Sequence, residues 1–173
     1  LYDLDYKGCR SCFGCKLLTN TEGRCVVRDD IYELLYDIRH SDGMGYASPI
    51  YFSDVTGQMK CFLERLEYPG PVKKEVPVEA IYTMNANEEI LQKNILDTLT
   101  KTEKSLGMNL RTTVNTTYAY STWQRDHNEL YKPSTHSNLE QKTKYRQEHW
   151  PIDLQNAFDA GVRLAQRIHS NNT

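Results

Sequence analysis

Cys9, Cys12 and Cys15 follow one another at a two-residue spacing, and nine residues separate the third from Cys25. Thiolates are soft ligands, and a short loop can turn several of them onto one ion or one iron-sulfur cluster, so electron transfer is the chemistry this run suggests. A zinc site would use the same residues, and so would a loop of reduced thiols at a subunit contact. The second candidate is Ser48-Pro49-Ile50-Tyr51-Phe52. It reads as the mouth of a buried strand, the place where open α/β sheets bind flat cofactors. Tyr51 and Phe52 would otherwise be core aromatics. His127, His136 and His149 have no metal-ligand spacing, and no Ser-His-Asp or paired-carboxylate set recommends a hydrolase.

Both candidates need a scaffold, and the pattern of apolar residues supplies one. Asp29-Asp30 precede Ile31, Leu34, Leu35 and Ile38, which predicts a helix from about Asp30 to His40 with an acidic first turn. Pro49 cannot donate to a ladder, so the strand before it is expected to end at Ser48-Pro49 and the loop after it to form the site. Asp54-Val55-Thr56-Gly57 opens a helix whose apolar face is Met59, Phe62, Leu63 and Leu66, with Lys60 and Arg65 on its other sides. Val76 to Tyr82 reads as a strand leading to Thr83-Met84-Asn85, and Asn87 caps a long helix through Ile90, Leu91, Ile95 and Leu99. Leu110 to Tyr120 favours a strand. Residues 124–150 read as an irregular, polar excursion, and a closing amphipathic helix then carries Pro151 in its first turn. Alternation of this kind gives a parallel sheet with helices on both faces, in one domain over residues 1–173.

The bulk composition narrows the field. At 39% hydrophobic and 25% charged residues the chain is ordinary for a globular protein, and a net charge of −2 with scattered Lys and Arg leaves no footprint for nucleic acid. No apolar run nears the roughly 20 residues that span a bilayer. Five cysteines, four of them within the first 25 residues, argue against a secreted disulfide framework and for a cytoplasmic protein. Leu1 to Leu4 reads as the end of a strand.

Four motifs in order, Gly8-Cys9-Arg10-Ser11-Cys12-Phe13-Gly14-Cys15, Gly23-Arg24-Cys25-Val26-Val27-Arg28-Asp29-Asp30, Ser48 to Phe52, and Val55-Thr56-Gly57-Gln58-Met59-Lys60, resemble the NADPH-dependent FMN reductase and iron-sulfur flavoprotein branch of the flavodoxin-like superfamily. The resemblance implies a flavodoxin-like three-layer α/β/α sandwich, bound FMN and homodimers or homotetramers. It also implies electron transfer from NADPH or NADH to a flavin, quinone or similar acceptor, or else an electron carrier working with ferredoxin. Carried onto this chain, the flavin-binding residues are Ser48, Pro49, Ile50, Tyr51, Phe52, Thr56, Gly57, Lys60, Thr83, Met84 and Asn85, and Cys9, Cys12, Cys15 and Cys25 are the ligands of a 4Fe-4S cluster. An aromatic beside a conjugated ring stacks favourably, which suits Tyr51 and Phe52. Two features depart from the family. Its phosphate loop is not found in the sequence, so the first βα unit is expected to lie upstream of Leu1, and Val26 rather than a proline follows the last cysteine. Cys61 reads as a packed thiol, and Tyr118, Tyr120 and Trp123 as lining a substrate pocket or an oligomer contact.

Overall fold

The computed structural model describes residues 1–20, 23–123 and 139–171. After a 3-10 turn at Gly14–Lys16, α1 (Tyr32–His40) carries Leu35 into the core and ends where the Ser41 hydroxyl donates to the Ile38 carbonyl at 2.9 Å. β1 (Met44–Tyr51) then turns through Phe52 and Ser53 into the short antiparallel strand β2 (Asp54–Val55), with Tyr51 opposite Asp54. Thr56 caps α2 (Gly57–Glu67), its hydroxyl accepting from the Met59 N–H at 3.2 Å. After β3 (Val78–Thr83), Asn87 caps α3 (Glu88–Ile90), which passes through a π-helical segment (Leu91–Ile95) into α4 (Leu96–Leu110). β4 (Val114–Ala119) and the long α5 (Leu139–Asn171) complete the described chain.

The sheet runs β2-β1-β3-β4, and β1, β3 and β4 are parallel. This is the flavodoxin-like α/β arrangement, with strands joined by helical crossovers as parallel pairing requires. Register puts Met44, Val78 and Val114 side by side, then Tyr46, Ala80 and Thr116, then Ser48, Tyr82 and Tyr118. That face packs on α1, α2 and α4, where Leu35, Leu63, Leu66, Leu99 and Leu106 are buried in one continuous core. The opposite face bears Gly45, Glu79, Asn115, Ala47 and Thr117 and is crossed by α5. Here the docking is polar: Glu79 receives Arg163 at 3.1 Å and Asn115 at 2.7 Å, and Arg167 donates to the Val78 carbonyl at 3.1 Å.

Several boundaries differ from those expected. β1 continues past Pro49 to Tyr51. Pro49 is tolerated because β2 pairs only with Ile50 and Tyr51 on that side, so no neighbour there needs its missing N–H. Leu110 ends α4 instead of starting a strand, and Leu1 to Leu4 form a turn, the Leu4 N–H reaching the Leu1 carbonyl at 3.2 Å. Asp54-Val55 is a strand before the helix. α5 begins at Leu139, so Pro151 lies inside it. The polar turns of 142–150 are exposed or half-buried helix, which leaves no apolar period to read. The rest of the expected excursion, 124–138, lies outside the described residues, as do His127 and His136.

Candidate functional site

Pro49 and Thr83 are register partners on adjacent parallel strands, so the chain leaves β1 and β3 at the same edge of the sheet. This is the carboxyl edge, where open α/β sheets hold ligands. The expected flavin residues divide here by direction. Ser48 and Ile50 turn into the core; the Ser48 hydroxyl accepts the Thr56 N–H at 3.2 Å and ties the end of β1 to the start of α2. Thr56 and Met84 are also buried. Lys60 is anchored to Asp54 at 3.0 Å and to the Thr102 hydroxyl at 3.3 Å. The side chains left facing outward are those of Tyr51, Phe52 and Asn85, with Pro49 and Thr83 half-buried between them and Gly57 opening α2.

The turn that presents the two aromatics is strained. Phe52 has φ 50° and Ser53 φ 68°, so both central residues of a two-residue hairpin loop are left-handed. Such loops ordinarily take Asn-Gly, and a non-glycine residue there costs roughly 1–2 kcal/mol. Phe52 is nonetheless fully exposed, giving nothing back in burial. A strained backbone holding a bare ring at the carboxyl edge of a parallel sheet fits a flat aromatic ligand. No glycine-rich phosphate turn accompanies it among the described residues.

The thiol loop is built against α2. Arg65, expected on an outer side of that helix, is buried; it donates to the Val27 carbonyl at 2.9 Å, to the Lys7 carbonyl at 3.4 Å, and pairs with Asp29. Glu64 accepts the Cys9 N–H at 3.2 Å. The Asn20 amide clamps the carbonyls of Gly14 (3.2 Å) and Arg24 (2.8 Å). At Gly14 a Cβ would fall 2.3 Å from Val26 Cγ2, so only glycine lets the turn press against the segment after Cys25. Only Arg65's position within reach of two apolar neighbours, Phe62 and Leu66, hinted that it would be covered.

Cys9, Cys12, Cys15 and Cys25 consequently line one pocket with Phe13, Arg65 and Tyr68. Ser11 (φ 52°) and Phe13 (φ 57°) are left-handed between the cysteines, a conformation that turns successive backbone N–H groups toward an anion. The Gly14 N–H, and then Arg10, hold the Cys12 thiol below its usual range, whereas burial pushes Cys15 up against the pull of Lys16. The donor set therefore suits a soft metal in kind. In spacing the loop is closed: the pocket has about 20 Å³, room for about one water, and among the described residues no three His, Cys, Asp or Glu side chains gather closely enough to hold a metal ion. All five cysteines are free, and Cys61 packs half-buried beside Gly8.

Residues 2–90 match the model of the family described as NADPH-dependent FMN reductase. Among curated proteins the chain is similar to an iron-sulfur flavoprotein of Methanocaldococcus jannaschii, 37% identical over 54 residues, which are 31% of this chain and 28% of the relative. An iron-sulfur flavoprotein of Archaeoglobus fulgidus is 41% identical over 59 residues, 34% of this chain and 24% of the relative. One of Clostridioides difficile is 38% identical over 78 residues, 40% of this chain and 34% of the relative. The chain thus spans about a quarter to a third of the length of these relatives. No solved structure gives a significant match.

Proposed function

We propose, from the premise that the chain belongs to the NADPH-dependent FMN reductase family, that it is a flavin-dependent oxidoreductase drawing electrons from NADPH or NADH. FMN, when bound, supplies the step between a two-electron donor and a flavin, quinone or similar acceptor, so the side chains need only position the ring. The observation that carries this reading is the pairing of Pro49 with Thr83, which brings two expected flavin loops to one edge. There Tyr51 and Phe52 would stack on the flat ring, Pro49 and Thr83 would shield it from water, and Asn85 would hydrogen-bond its polar atoms. Among the described residues no helix is long and apolar enough to cross a membrane, which is compatible with the cytoplasmic location we assign. We also assign a homodimer or homotetramer, on the strength of the exposed row Trp150, Leu154, Phe158 and Val162 on α5.

A second reading, an iron-sulfur flavoprotein that exchanges electrons with ferredoxin, is favoured by the four thiols around one pocket. Cys9, Cys12, Cys15 and Cys25 would hold the 4Fe-4S cluster after the loop opens. The test for both is one preparation, purified anaerobically. The reductase reading expects flavin absorption that bleaches with NADPH or NADH; the carrier reading adds iron and acid-labile sulfide in equal amounts, lost together in Cys12→Ser. A colourless protein that takes up no FMN would overturn both.

A further inference from the structure

Both of the chain's two tryptophans, Trp123 and Trp150, line one pocket at the carboxyl end of β4 beside Thr83, between the segment Tyr120–Trp123 and the first turns of α5. Tyr120, Tyr145, Arg146 and Asp153 complete its wall. Its volume is about 210 Å³, roughly ten times that of the thiol pocket and enough for a planar two-ring heterocycle.

The lining specifies more than flatness. The Arg146 guanidinium lies 5.6 Å from the Trp123 ring centre and 5.2 Å from that of Trp150, so a planar, delocalised group already bridges the two indoles. The Trp123 Nε1–H is buried with no hydrogen-bond partner among the described residues. An indole N–H and a guanidinium can only donate, so two donors here call for a carbonyl oxygen. Asp153 on the same wall supplies an acceptor, and burial pushes its carboxyl up against the pull of His149. A ring edge that alternates C=O with N–H satisfies all three groups; a hydrocarbon or a simple anion leaves at least one unpaired.

We infer that this pocket binds a planar bicyclic heteroaromatic lactam, of the pteridine or purine class, stacked on the indoles with its amide edge toward Arg146, Trp123 and Asp153. The site shares Thr83 with the proposed flavin cradle, but its occupancy needs no electron transfer. Since no other tryptophan exists in the chain, its fluorescence reports on this pocket directly. The full chain is titrated with lumazine and, separately, with 1,3-dimethyllumazine, which has the same rings and no lactam N–H. The expected result is saturable quenching by lumazine, with binding at least tenfold weaker for the dimethyl compound and for Asp153→Ala and Arg146→Met. Arg146 is exposed, so its replacement leaves the fold intact, which far-ultraviolet circular dichroism checks. Absence of saturable quenching, or equal binding of the two lumazines by the folded protein, would overturn the inference. FMN reduction by the same preparation is scored separately, so a dead oxidoreductase with an intact lumazine response leaves this site standing.

Discussion

The two faces of the sheet are made from alternate residues of the same strands, yet they are closed by different forces. Toward α1, α2 and α4 the strands present Met44, Tyr46, Val78, Ala80 and Tyr82, all buried in a single apolar core. Toward α5 they present Gly45, Ala47 and Glu79, and Ala160 is the one apolar α5 side chain fully buried among the described residues. The long helix is held instead by Arg163 and Arg167 reaching Glu79 and the backbone of Val78, and by close approach at Gly43, where a Cβ would fall 2.6 Å from Ile168 Cδ1. Apolar burial is non-directional and secures the fold; the polar clasp is directional and fixes where one helix lies. The edge that carries Phe52 and the tryptophan pocket adjoins the second kind of closure.

The comparison breaks first under deletion of core volume. Leu99→Ala is expected to cost about 3 kcal/mol by urea denaturation, because Leu99 is fully buried, whereas Ile152→Ala, on α5 but outside its apolar row, should stay within about 0.5 kcal/mol. Equal losses would erase the distinction between the faces. Glu79→Ala comes next, at about 2–3 kcal/mol, since it leaves Arg163 without its carboxylate and Arg167 with Glu75 alone. Amide exchange should then rise along 139–171 while α4 stays protected.

Smaller effects sharpen the picture on the core side. The Tyr46 and Tyr82 hydroxyls are 2.6 Å apart in the core, and burial raises both phenols above their usual range and Tyr118 to about 12. Tyr46→Phe strands the Tyr82 hydroxyl and should cost about 1–2 kcal/mol, while the Tyr46→Phe, Tyr82→Phe double variant should lose less than the sum of the singles. Burial also raises the Glu103 carboxyl above its ordinary value of 4.5. The folded state therefore keeps this proton to higher pH than the unfolded chain, and stability falls as pH climbs from about 4.5 through the raised value. Glu103→Gln should remove that decline and raise the melting temperature at neutral pH, with no gain in acid. Last, Phe52→Gly relieves a left-handed phenylalanine and should stabilise the protein by about 0.5–1 kcal/mol while weakening flavin binding.

Much of this was legible in the residues. The cap at Asn87, the apolar faces of α2 and α4, and the parallel alternation all follow from local spacing, and the structure has each of them. The extension of β1 past Pro49 was hidden because it depends on which neighbour the proline faces, a property of the sheet and not of the segment. Glu79 and Arg65 were hidden for a related reason: a charged residue inside an apolar run acquires its partner from a helix or loop dozens of positions away. At the candidate site, residue types pointed to the edge, but the alternation of β1 decides that Tyr51 faces outward and Ser48 and Ile50 inward. The tryptophan pocket needed Trp150 on α5, which the expected helix start at Pro151 left just outside any element.

Equilibrium titration of FMN fluorescence tests the central claim most directly. The account predicts saturable quenching by the wild-type chain and at least tenfold weaker binding in a Tyr51→Ala, Phe52→Ala variant whose urea midpoint is no lower. Undiminished affinity in that folded variant, or FMN that stays fully fluorescent beside the wild-type chain, would contradict it.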